Sequence, residues 1–109
     1  MSEEAHYLLQ SDEIDVMWKE QMGFPVLHMV LKTKWTHNNK KKLLAGLYTV
    51  RQMFGDDGFD YIYTFSPYAD DKLLKFHISI GFEPWMYITD ESGNRLHTLS
   101  RQPTIKGEI

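Results

Sequence analysis

Apolar side chains along this chain fall into two periods, and the switches between them lay out its elements. Residues 11–22 place Ile14, Met17, Trp18 and Met22 at helical spacing, with Ser11 or Asp12 available as N-cap and Gly23 and Pro25 as the stop. This predicts a first helix. Val26-Leu27-His28-Met29-Val30-Leu31 is then a continuous apolar block, passing into an alternation of Leu31, Thr33 and Trp35 with lysines between. A strand over 25–35 follows, buried at its start and half exposed at its end. Thr36-His37-Asn38-Asn39 is a turn or cap signal, and the stripe Leu43, Leu44, Leu47, Val50, Met53 and Phe54 predicts a long helix. Gly55-Asp56-Asp57-Gly58 ends it.

Phe59 to Phe65, rich in aromatic and β-forming residues, predicts a second strand that Ser66-Pro67-Tyr68 breaks. Asp70 or Asp71 can cap a short helix running through Ile80, with Gly81 as its C-terminal glycine. Two extended segments remain, 85–89 and 95–100, joined by the hairpin signal Asp90-Glu91-Ser92-Gly93-Asn94. Residues 102–109 read as a frayed end. Strand, helix, strand, helix, hairpin gives two crossover units ahead of an antiparallel edge, so the fold class is α/β (α+β), a mixed sheet flanked by helices. Where two parallel strands part, a crevice for a ligand is expected.

Composition narrows the function classes. At 109 residues the chain is one domain, and 42% hydrophobic with 14% aromatic content is enough for one core. A formal charge of −3 makes a nucleic-acid partner unexpected. With no cysteine, thiolate metal sites, disulfides and a Cys nucleophile are excluded. The acidic start Met1-Ser2-Glu3-Glu4 is unlike a secretory signal, and the apolar stretch 25–31 is too short to span a bilayer. A soluble, cytoplasmic protein without a membrane partner is the expectation. No pair among His6, His28, His37, His77 and His97 has metal-ligand spacing with a carboxylate, so no metal is expected. Ser66 lacks the glycine elbow of hydrolases.

One segment carries a resemblance. Asp70-Asp71-Lys72-Leu73-Leu74-Lys75-Phe76-His77-Ile78-Ser79-Ile80-Gly81-Phe82-Glu83 resembles the late motif of the GNAT acetyltransferases, an Asn, then Ala, then Phe-Tyr and a closing Gly-Phe-Glu. Asp70 stands at the Asn, Leu73 at the Ala, Phe76 at the Phe and His77 at the Tyr, while Gly81-Phe82-Glu83 matches outright. Residues 43–54, Gly58 and 61–65 follow the family's long helix, glycine and strand in order and spacing, and the resemblance covers residues 26–100. It departs at the pyrophosphate loop, where the family has small residues and this chain has Thr36-His37-Asn38-Asn39-Lys40-Lys41-Lys42 without glycine. The stretch before the first predicted strand is also short, so the family's first strand and substrate-side helices are expected to be abbreviated or absent. The lysine-rich loop and shortened fold are most similar to the small GNAT-like proteins of tailed phages, some of them internal virion or head-assembly proteins.

The resemblance implies an acetyl-CoA cofactor held by Lys34, Trp35, Asn38, Asn39, Lys40, Lys41, Lys42 and Asp70, in the cleft between strands 26–35 and 59–65. An amine acceptor would be the second substrate. His77 takes the place of the tyrosine that protonates the leaving thiolate. His28 or His37 is a candidate base on the amine. Each has a plainer alternative: a solvated basic cluster, or one docked to an acidic surface, for the lysines, and a packed helix histidine for His77. The whole chain has one too, a non-catalytic accessory protein with a protein partner in a phage particle or its host.

Overall fold

The computed structural model describes residues 6–21, 23–89 and 92–107. They form a six-stranded sheet with two helices, in the order β1 (His6–Gln10), β2 (Ile14–Gln21), β3 (Phe24–Leu31), α1 (His37–Asp56), β4 (Tyr61–Pro67), α2 (Asp71–Ser79), β5 (Glu83–Thr89) and β6 (Leu96–Pro103). Strand order across the sheet is β1-β2-β3-β4-β6-β5. Every pairing is antiparallel except β3 with β4. The expected mixed α/β class is therefore what the chain adopts.

The predicted first helix is instead β2. Ile14, Met17 and Trp18 fit a helical period, but Ile14, Val16 and Trp18 fit a period of two equally well. Eight residue pairs with β3, from Ile14↔Leu31 to Gln21↔Phe24, decide for the strand. Ser11 uses its hydroxyl in a turn rather than a helix cap: Oγ donates to Ile14 O at 2.9 Å and accepts from the Ile14 and Glu13 amides at 3.0 and 3.2 Å. Met22, assigned to that helix, lies outside the described residues, as do residues 1–5, Asp90 and Glu91 of the hairpin signal, and residues 108–109. Among the described residues no helix precedes α1.

β3 stops at Leu31, four residues short of the predicted end, because β2 reaches no further and β4 has already moved away. In α1 the buried stripe is Leu43, Leu47, Val50 and Phe54, while Leu44 and Met53 face solvent at 41% and 44% exposure. Thr36 caps the helix, its Oγ1 accepting the Asn39 amide at 3.1 Å. Removing that cap by Thr36→Ala is expected to cost about 1 kcal/mol in a urea titration. β4 runs through Ser66 to Pro67 rather than breaking before them, held there by Ser66↔Thr98 and Pro67↔His97.

The C-terminal stretch is docked, not frayed, as far as it is described. Gln102 and Pro103 belong to β6, and the Ile105 amide bonds Arg51 O at 3.1 Å while Arg51 Nε donates to Pro103 O at 2.8 Å. Thr104 adds its amide to Asp60 O at 3.0 Å and its hydroxyl to Phe59 O at 2.6 Å. This strap crosses the end of α1.

Both helices sit on one face of the sheet, where Ile14, Val16, Leu27 and Ile62 meet Leu43, Leu47, Val50 and Phe54 of α1 and Ile80 and Phe82 after α2. The other face carries no helix among the described residues. Val26, Tyr63 and Leu99 are buried there under Phe24, Tyr61, Phe65 and Ile88, and the Arg101 guanidinium stacks on Tyr61 and Trp85 at 4.1 and 4.2 Å.

Candidate functional site

Parallel pairing between β3 and β4 lasts for two residues, Val26↔Tyr63 and Leu27↔Thr64. Beyond them the strands diverge, and a cleft of about 470 Å³ opens on the helix-bearing face. β3 supplies Met29 and Leu31, both pointing the same way as Leu27 by the two-residue period. Trp35, on the path to α1, meets Phe76 of α2 edge to face at 4.9 Å, and Leu73 and Ile14 complete an apolar lining. Asp70 and Lys72 are its charged members. Asp70 also caps α2, its Oδ1 accepting the Leu73 amide at 3.1 Å.

Two of the cofactor residues expected from sequence, Trp35 and Asp70, line this cleft. Lys34 and Asn39 shape the approach to α1: Asn39 is buried, and its Nδ2 donates to Lys34 O at 3.0 Å. Asn38 is exposed in the first turn of α1. The cap accounts for the Asn39 amide and Thr36 O accepts from Lys40 N, which leaves the His37 and Asn38 amides without intrahelical partners. Lys40, Lys41 and Lys42 do not line the cleft. Lys42 pairs with the Glu13 carboxylate at 3.0 and 3.2 Å and lines a separate groove of about 660 Å³ beside the β1–β2 turn.

His77 is placed next to the cleft wall but turned inward. It is 3% exposed, between Phe76 and Phe82 with ring centroids at 5.8 and 6.1 Å. Burial pulls its pKa down to about 4, against the opposing pull of the Asp70 carboxylate. The imidazole is therefore uncharged at neutral pH. His28 shares the helix-free face with Val26, its Nε2 3.2 Å from Gln21 Oε1, and burial together with Lys19 lowers its pKa. His37 begins α1 at the surface. No group of three potential metal ligands occurs among the described residues, and no helix among them is long and apolar enough to cross a membrane.

Sequence reasoning missed Ile14, Met29, Leu31 and Lys72 as cleft residues. Met29 and Leu31 had a signal in their alternation with Val30. Ile14 had none, since it was assigned to a helix that does not form.

No family model and no curated protein matches the sequence. Solved structures do match in fold. A GNAT-family acetyltransferase from Bacillus cereus superposes with a TM-score of 0.62 at 9% identity, over 86% of this chain and 64% of that one. The ribosomal-protein-S18-alanine N-acetyltransferase of Escherichia coli gives 0.55 at 11% identity, over 88% and 64%. The ribosomal-protein-S5-alanine acetyltransferase of Vibrio fischeri gives 0.61 at 13% identity, over 89% and 57%. This chain thus has a GNAT-like fold and spans 57–64% of the length of these neighbours.

Proposed function

We propose that this chain is a reduced GNAT-type acyl-CoA domain that transfers an acyl group to an amine. The observation that carries this reading is the β3–β4 split: a parallel pair that parts after two residues and opens an apolar cleft, in a chain with the fold of known acetyltransferases. The residues present suit the ligand unequally along its length. The apolar lining of Trp35, Leu73, Phe76 and Met29 suits the acyl and pantetheine end. Toward α1, the open amides of His37 and Asn38, with Lys40 and Lys41 beside them, suit its phosphates. Lys34, Asn38 and Asn39 would frame that end, and Asp70 would border the cleft.

Coenzyme A would supply the acyl group as an activated thioester. The chain's own part is to bind and orient it, to exclude water with the Trp35–Phe76 pair, and to admit an amine at the cleft mouth. An enclosed, uncharged His77 supports a packing role over that of proton donor.

The same observation favours a second reading, in which the fold is kept for binding alone. Of the residues lining the cleft only Asp70 and Lys72 carry charged side chains, and Asp70 is engaged as a cap. Under that reading the protein is a non-catalytic accessory or virion protein of a phage, with a protein partner.

Isothermal titration of acetyl-CoA and of free coenzyme A separates the two. Micromolar binding, weakened about tenfold by Lys40→Ala with Lys41→Ala at unchanged Tm, is the expected result for the first. No heat at millimolar ligand moves the assignment to the second.

A further inference from the structure

Beneath α2 the sheet is paved with hydroxyls. In the β4–β6 register Thr64 stands opposite Ser100 and Ser66 opposite Thr98. Residues two apart share a face, so these four lie together on the helix-bearing side, while Tyr63 and Leu99 between them bury on the other. All four are buried. Thr64 Oγ1 donates to Leu27 O at 3.0 Å. Ser66 Oγ and Ser100 Oγ, on residues 1% and 0% exposed, have no partner among the described residues.

α2 packs on this face of the sheet and buries His77. The end of the helix is pinned over β6 by Gln102 Nε2, which donates to Ile80 O at 3.3 Å. His77 lies one turn back from Ile80, and Ser100 lies two residues back from Gln102 on the same face of the strand. The His77 Nδ1 also has no partner among the described residues. Buried polar groups of folded proteins are nearly always paired, with protein or with water. Three unpaired ones lie on α2, β4 and β6, two of them neighbours in the β4–β6 register.

We propose that this chamber is an internal hydration site, in which at least one ordered water bridges Ser66 Oγ, Ser100 Oγ and His77 Nδ1 and ties α2 to β4 and β6. Water is the guest the chemistry selects. It can donate and accept, and three polar partners are the usual number for a buried water. An apolar guest leaves all three groups unpaired, and a metal ion finds no carboxylate among them. The site is distinct from the cleft, which Phe76 lines and His77, the buried next residue, does not. It does not rest on the proposed activity.

The sign of a stability change tests it. An unhydrated buried hydroxyl is better removed, so Ser66→Ala and Ser100→Ala would raise Tm. A hydroxyl holding a water is better kept. The expected result is that each alanine lowers Tm by several degrees. Water relaxation dispersion is expected to show a long-lived water in the wild-type protein that is lost in the double variant. If the double variant does not fold, the single variants carry the same comparison. A wild-type protein without a long-lived water overturns the proposal, as does a long-lived signal left unchanged by alanines that raise Tm.

Discussion

Replacing Gly55 by alanine is expected to destabilise the protein by about 3 kcal/mol, whereas Gly46→Ala in the same helix is expected to stabilise it by up to about 1 kcal/mol. Gly46 lies mid-helix and Gly55 is the second-last residue of α1, so the gain in helix propensity is the smaller at Gly55. Their surroundings differ. A Cβ on Gly46 would meet Leu9 Cδ2 at 3.8 Å, an ordinary contact. A Cβ on Gly55 would fall on the backbone of the C-terminal strap, too close to the Ile105 carbonyl for both to stay in place. The strap is fixed by the Ile105 amide to Arg51 and by Thr104 to Asp60, so relief requires breaking those bonds. Urea titration of the two variants checks the contrast. If the strap is the cause, deleting residues 104–109 removes most of the Gly55→Ala penalty relative to the same truncation with Gly55. A penalty that survives the deletion points to another cause.

Acid is expected to unfold this protein earlier than its carboxylates alone would dictate, and of the two histidines with lowered pKa, His28 and His77, His77 is the main reason. Its folded pKa is lowered from 6.5 to about 4 by burial. Above pH 6.5 the imidazole is neutral in both states and contributes no pH dependence. As the pH falls below 6.5 the unfolded chain takes up the proton and the folded one does not, so stability declines until the folded pKa near 4 is reached. The loss over that window is on the order of 3 kcal/mol, from the relation of 1.36 kcal/mol per pKa unit. His77→Leu should flatten the stability curve between pH 6.5 and 4, whatever it does to stability at pH 7. The comparison is of slopes from urea titrations across that range. Parallel curves for the two proteins would show that His77 takes up its proton alike in the folded and the unfolded chain.

The two results bear on the site as well. A His77 that resists protonation down to pH 4 holds no imidazolium proton at neutral pH to give to a thiolate. The motif match placed this residue where the family has its tyrosine, and the structure sets it next to Phe76, which lines the cleft. Its protonation state depended on burial between Phe76 and Phe82, and no local spacing reports that. The lysine cluster is a similar case. Three consecutive cations at the start of a helix were plain in the sequence. That Lys42 turns to Glu13, on a different turn of the chain, was not.

Sequence alone determined the elements whose pattern has one reading. The helix predicted from Leu43, Leu44, Leu47, Val50, Met53 and Phe54, the turn or cap signal at Thr36, the glycine after Ile80 and the apolar block at Val26–Leu31 all mark elements the chain adopts, though Leu44 and Met53 face solvent. Tertiary structure decided the rest. Residues 14–21 satisfy both periods, and only a partner strand distinguishes them, because a strand draws its hydrogen bonds from a neighbour and a helix from itself. The cleft exists because β3 and β4 part after Leu27 and Thr64, and the depth at which two strands diverge is set by what packs between them. The fate of the C-terminal residues hung on Gly55, whose missing side chain lets a strap 50 residues away in the chain lie against the helix. The cleft and the strap join residues far apart in sequence, and a local pattern holds no information about the distance it must close.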